Sequence, residues 1–373
     1  MLSSEKKSLD NIEYTRYNNY IIFKNSYFHL KNNQDLYVLY PEKQWDLYKY
    51  TPSFSVFFGL FAVFPDWIGL NLWNLLNVLI LLFAVYYLPK YNDFEKGLII
   101  LIVSIELLTS IQNSQSNGLM TGLFIFSFGF LERKKYFLSS LMIVCSVFIK
   151  LFGIVAFALF LLYPKKWKSA LYSIICAVIL LIIPFVFIDY NQYASLFQSY
   201  LAMLKSDHVS SQGYSVMGWL HSWFALDINK NIVVFIGAIL FLVPLFYLKK
   251  FNKYEFRILT LASILIWVVI FNHKAESPTF IIAMTGVALW YVSSEKNNIN
   301  KIMFIAAFIF TTLSATDIFP KFIRDEIVKP YTLKGFPCIV IWGKIIYDML
   351  FLINRNRLNE EAMKNNKHYQ ESV

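Results

Sequence analysis

Eleven apolar runs take up most of the chain, near 54–65, 69–88, 97–112, 118–131, 136–163, 167–189, 231–248, 257–272, 278–294, 302–316 and 336–353. A helix needs about 20 apolar residues to cross the hydrocarbon of a bilayer. Only helices and closed barrels satisfy their backbone polar groups there. The rest of the composition agrees. Charged residues make up 16% of the 373, against about 25% in soluble domains, and mean hydropathy is +0.50. Aromatics reach 18%, with 36 Phe, and many sit at run ends, as in "VYYLPKY" and "WYVSSEK", the pattern of an interfacial belt. The expected fold is an all-α polytopic membrane protein of about 10–12 transmembrane or re-entrant helices with external polar loops. The expected organisation is an N-terminal external loop (1–53), a transmembrane domain (54–353) and a cytoplasmic tail (354–373).

The net charge of +10 reads as loop lysines and arginines rather than as a nucleic-acid surface, because the basic residues are scattered through short connections. "ERKK" (132–135), "PKKWK" (164–168), "LKKFNKYEFR" (248–257), "SEKNNINK" (294–301) and "NRNR" (354–357) should face the cytoplasm. Cys145, Cys176 and Cys338 have neither pairing nor metal spacing. The first 50 residues lack the apolar core of a signal peptide, and no internal repeat is present. Run 136–163 must leave and return on one side, yet it is too short for two full spans. It is expected to be a broken hairpin with Lys150 near its tip. Run 54–65 is too short to span as a helix. The same threading gathers "NSQSN" (113–117), the long loop 190–230, "NHKAES" (272–277) and 316–335 on the external face.

Ionisable groups inside a membrane domain are costly and often functional. Lys150, in "CSVFIKLFG", is either the partner of Glu106 in a neutralised pair or the holder of an anionic group such as a lipid phosphate. "QNSQSNG" (112–118) is either a capping turn with Asn113 or Ser114 as N-cap or a set of amides suited to a polyol. In "NHKAESP", His273 and Glu276 are candidates for acid/base work or phosphate contact. The alternative is a solvated turn whose Pro278 starts the next helix. The loop 190–230 adds Asp207, His208, His221 and several aromatics. No metal-binding spacing, phosphate-cradling Gly loop or nucleophile elbow is found.

At these residues the chain resembles glycosyltransferase family 87, polytopic GT-C enzymes that move mannose or another glycose from a polyprenyl-phosphate donor. Residues 113–172, from "NSQSNGLM" to "PKKWKSALY", resemble the family's Gly-Gln-x-Asn turn, apolar helix, basic loop and helix ending in Lys. Gln115, Asn117 and Lys150 match, and Ser114 stands in the place of the Gly. "LYPEKQWDLYKYTPSFSVFFGLFAVFPDWIGLNLWNLLN" (39–77) resembles a second family segment, with Thr51 replacing its first Pro. A polar turn before "SPTFIIAM" is the third. Two departures stand out. No apolar run precedes residue 50, where the family has its first transmembrane helix, so the start is expected to be truncated or late. "NNYIIFKNSYFHL" puts Asn19 where the family has an Asp, and an amide is no general base.

The resemblance implies a GT-C-like bundle and an inverting hexosyltransferase in a bacterial-type cell membrane, its site facing outside. It would move a hexose, mannose first, from a polyprenyl-phosphate donor to a lipid or glycan acceptor, with no metal, cofactor or nucleic acid. Glu276, His273, Asp46 and Asp35 are then the catalytic candidates, with Glu42 a further acid. Lys150, Lys274, Gln115, Asn117 and Asn19 are the substrate-binding ones. The alternatives are a transporter or flippase for a lipid-linked saccharide and a non-catalytic member of the family.

Overall fold

A computed structural model describes residues 7–9, 12–207 and 212–352. His208, the side chain of Asp207 and the tail 354–373 with its "NRNR" lie outside the described residues. Among the described residues the architecture is helical apart from a short antiparallel pair, β1 (Lys7–Leu9) and β2 (Ile12–Tyr14). In chain order the helices are α1 (Asn18–Lys31), α2 (Pro52–Ala62), α3 (Asp66–Tyr86), α4 (Asp93–Gln112), α5 (Asn117–Glu132), α6 (Tyr136–Ile149), α7 (Lys166–Ile182), α8 (Tyr190–Asp207) and α9 (Val216–Phe224). They continue as α10 (Lys230–Leu242), α11 (Tyr254–Ile270), α12 (Phe280–Ser293), α13 (Asn298–Ala307), the short α14 (Lys321–Ile323) and α15 (Phe336–Tyr347).

Among the described residues three helical stretches are long and apolar enough to cross a membrane, Asp66–Tyr86, Lys166–Val186 and Asn298–Ala315. Shorter apolar helices include Pro52–Ala62, Asn117–Glu132, Tyr136–Ile149, Leu151–Leu162, Lys230–Phe246 and Ser277–Ser293. The chain is thus a polytopic membrane protein, and each apolar run of the sequence carries a helix. The loop expected over 190–230 is corrected, because it contains α8 and α9.

The residues form two compact units, Met1–Gln212 with Glu276–Ile282, and Gly213–Ala275 with Ala283–Val373. In the first, α5 packs most extensively on α3 and α6. A Cβ at Gly122 would lie 2.9 Å from the backbone of Ile80, so a glycine lets α5 reach the α3 backbone, the close approach typical of membrane helices. Asn77 of α3 accepts from the Leu119 backbone N–H at 2.8 Å and joins the two helices at depth. Although short and mixed in polarity, α1 is anchored by Phe23, whose ring meets Tyr50, Phe54, Phe58 and Trp73 edge-on at 4.8–5.9 Å. Such pairs add about 0.5–1.5 kcal/mol beyond their buried area.

The expected break in run 136–163 is present. Lys150 ends α6 in extended backbone, φ −139° and ψ 127°, and a 3-10 arm, Leu151–Leu162, returns along it. Gly153 makes the return possible, since a Cβ there would sit 2.7 Å from the Ser146 backbone.

In the second unit, α11 and α15 form the largest contact. Trp342 donates to Ser263 at 2.9 Å and Trp290 to Asp348 at 3.3 Å. The buried Lys250 ammonium caps the carbonyls of Met349 and Leu350, both at 2.8 Å.

Candidate functional site

The short α5–α6 connection makes those helices antiparallel, so the 113–117 turn and Lys150 share one end of the first unit. The turn owes its shape to how α4 stops. Ser114 N–H donates to the Ile111 carbonyl at 2.8 Å and Gln115 N–H to Ser110 at 3.1 Å. That is a Schellman ending, with Ser114 in the left-handed region at φ 52°. Trp73 Nε1 fixes it by donating to the Ser114 carbonyl at 2.9 Å. The turn therefore does not start α5 through Asn113 or Ser114. The N-cap position falls to Ser116, and Asn113 closes α4.

A chain of polar side chains follows. The Lys150 ammonium donates to Asn117 Oδ1 at 2.7 Å. Asn117 Nδ2 donates to Gln115 Oε1 at 2.6 Å and to the Pro278 carbonyl at 2.9 Å. Gln115 Nε2 donates to Glu276 Oε2 at 3.2 Å. Asn117 is fully buried with its amide spent on protein. It aligns its neighbours instead of offering itself to solvent. Lys150 and Gln115 are half-buried and Glu276 is exposed, so the chain runs from interior to surface. The ammonium turns to Asn117 rather than to Glu106, which is buried in α4.

Tyr50 completes this face and was missed from sequence. Its hydroxyl lies 3.4 Å from Ser116 Oγ, and the Lys150 ammonium sits 5.9 Å from its ring. Burial holds the phenol above its ordinary range. The Ser116 contact opposes that shift and the nearby Glu276 carboxylate adds to it. The available signal was its place in the 39–77 segment, directly before Thr51. Thr51 caps α2 and donates to the Phe148 carbonyl at 2.6 Å, which ties the loop to the end of α6.

The other candidates lie elsewhere in their contacts. Asn19 Nδ2 donates to the Asn113 carbonyl at 2.8 Å and fastens α1 to the turn. Asp35 accepts from Ser199 at 2.6 Å and from the Tyr37 backbone at 2.9 Å. Asp46 pairs with Lys49 at 2.9 Å and accepts from the Leu47 backbone. Glu42 is exposed. His273 and Lys274 belong to the second unit, where Lys274 N–H closes on Asn272 Oδ1 at 3.0 Å and the Ala275 carbonyl accepts from Tyr214 N–H at 2.9 Å. Pro278 does open the next helix, in a 3-10 turn leading into α12. His221 is paired with Asp227 at 2.7 Å. Among the described residues no group of three or more His, Cys, Asp or Glu is placed to hold a metal ion.

No curated protein matches the chain. The model of glycosyltransferase family 87 matches residues 48–313, well over half of the sequence. That span holds Tyr50, Gln115, Asn117, Lys150 and Glu276 but leaves Asn19, Asp35, Glu42 and Asp46 outside. The chain belongs to glycosyltransferase family 87 and is a membrane glycosyltransferase.

Proposed function

We propose that the enzyme transfers a hexose, mannose first among the choices, from a polyprenyl-phosphate donor to a lipid or glycan hydroxyl on the external side of a bacterial-type cell membrane. The observation that carries this reading is the hydrogen-bonded line from Lys150 through Asn117 and Gln115 to Glu276. It sets a cation and a carboxylate at one end of one unit. An ammonium has three donors, and Asn117 takes one, so Lys150 can turn the others to the donor phosphate. The acceptor oxygen bonds to the sugar C1 as the C1–O bond to the phosphate breaks with inversion. The bonding pair leaves on the phosphate, where Lys150 neutralises the growing charge, and Glu276 takes the acceptor's proton. Gln115 aims that carboxylate. The Tyr50 phenol, whose ring lies 5.9 Å from the Lys150 ammonium, is proposed to donate to the same phosphate. His273 and Lys274 lie three and two residues before Glu276 in sequence and are proposed as phosphate-binding residues of their own unit.

The test is transfer of radiolabel from polyprenyl-phosphate mannose, glucose or arabinose in membranes holding the full chain. Glu276→Gln should cut transfer by on the order of 10²–10⁴-fold, the range of a lost general base. Asp46→Asn should stay within about twofold, as surface changes do. If Asp46→Asn stops transfer while Glu276→Gln does not, the base has been misassigned. If donor binds but no label moves, a non-catalytic or transport role replaces this one.

A further inference from the structure

The opposite end of the same hairpin has a different chemistry. The connections 132–135 and 163–166 meet there. Tyr163 donates to Glu132 at 2.5 Å, and the Lys165 ammonium sits 6.0 Å from the Tyr136 ring. Arg133, Lys134, Lys135, Lys165, Lys166 and Lys168 are all exposed, with Glu132 engaged by Tyr163. Beneath this rim, α6, the 3-10 arm and α7 line an open groove of about 560 Å³, bordered by Val147, Phe148, Phe157, Phe160 and Ala177 and ending at Lys166 and Trp167. Along α7 it runs from Lys166 to Ala177, about 16 Å at the helical rise, roughly half of the 30 Å hydrocarbon core. The groove is thus as deep as one leaflet. Trp167 is 81% exposed beside the lysines, where an aromatic anchors at the headgroup level.

We infer that this groove binds one anionic phospholipid, its acyl chain lying along α7 and its phosphate held by Lys165, Lys166 and Lys168. A lipid fits both halves of the site, an apolar trough one leaflet deep and a cationic mouth. Basic clusters beside a spanning helix attract anionic lipid by about 1 kcal/mol per residue. A second copy of the chain, at net charge +10, would bring a like-charged surface to the rim.

The test uses the full chain in neutral detergent, with bound lipid counted by native mass spectrometry and folding checked by a thermal melt. Phosphatidylglycerol should bind in preference to phosphatidylcholine of the same chains. The triple variant Lys165→Gln, Lys166→Gln, Lys168→Gln should lose about fivefold per lysine, on the order of a hundredfold in all, with phosphatidylcholine binding unchanged. Ala170→Phe, which fills the groove, should lose both lipids while the fold melts normally. Lys249→Gln, Lys301→Gln, Lys321→Gln, three exposed lysines elsewhere, should change neither. Equal binding of the two lipids overturns the proposal. So does an unchanged preference in the first triple variant, an equal loss in the second, or complete competition by glycerol 3-phosphate, which lacks a chain.

Discussion

The first unit treats the lysines at the two ends of one hairpin in opposite ways. At the tip, Lys150 is half-buried and its ammonium is held by a buried amide, itself pinned by a glutamine and a backbone carbonyl. At the base, Lys165, Lys166 and Lys168 stand exposed, and two of them lie over tyrosine rings at 5.6–6.0 Å. A tethered charge has one geometry and few substitutes, whereas a solvated cluster is redundant. The two ends should therefore answer very differently to the loss of one cation.

Lys150→Met gives the largest expected effect. Removing one preorganised electrostatic contact from a reacting centre costs about 10²–10³-fold, and glycosyl transfer should fall by that much. The lysine triple at the base should leave transfer within about twofold. Equal losses from both variants would erase the distinction between tip and base. Gly153→Ala sharpens it. A Cβ there lies 2.7 Å from the Ser146 backbone, so the return arm must move, at about 1–3 kcal/mol for an overpacked site. A thermal melt should show that loss. Transfer should fall with it, because Lys150 sits three residues away, while the lipid preference at the base persists.

Asn19→Asp is expected to do less and tests a different point. The family pattern suggests an acid there, but the Asn19 amide donates to the Asn113 carbonyl, which a carboxylate cannot do. The substitution should cost about 1 kcal/mol, the net worth of such a bond, without raising transfer. A gain in transfer would mean that the acid position had been lost in this chain and could be restored.

The apolar runs foretold nearly every helix, and the break at Lys150 followed from the threading of the basic loops together with the length of run 136–163. Two kinds of element escaped. α1 is polar enough to read as loop, since its stability comes from Phe23 among four rings supplied by α2, α3 and the loop before α2. α8 does likewise, through contacts such as Ser199 with Asp35 and Tyr200 against Tyr37. Neither set of partners is near in sequence. At the site, Gln115, Asn117, Lys150 and Glu276 could be named from residue type and order. Their division of labour could not, because it depends on burial. Asn117 reads as a sugar-binding amide until its donors are found spent inside the protein. Asp35 and Asp46 read as spare acids until Ser199 and Lys49 are found beside them.

Ser114 gives the smallest expected effect and joins the turn to the family pattern. The pattern has glycine at this place, and the structure supplies a physical reason, because the residue closes α4 in the left-handed region at φ 52°. Only glycine adopts that conformation without a penalty of about 1–2 kcal/mol. Serine has no Cβ-free route and must absorb the strain. The two Schellman bonds and the Trp73 indole bond, none of which uses the Ser114 side chain, hold it in place. Ser114→Gly should keep each of those bonds and relieve the strain. Its gain is trimmed by the extra freedom of glycine in the unfolded chain, leaving a stabilisation of about 0.5–1 kcal/mol. A thermal melt in detergent would register it as a small upward shift with transfer unchanged. A downward shift would mean that the serine side chain, buried at this turn, contributes more through packing than its backbone costs.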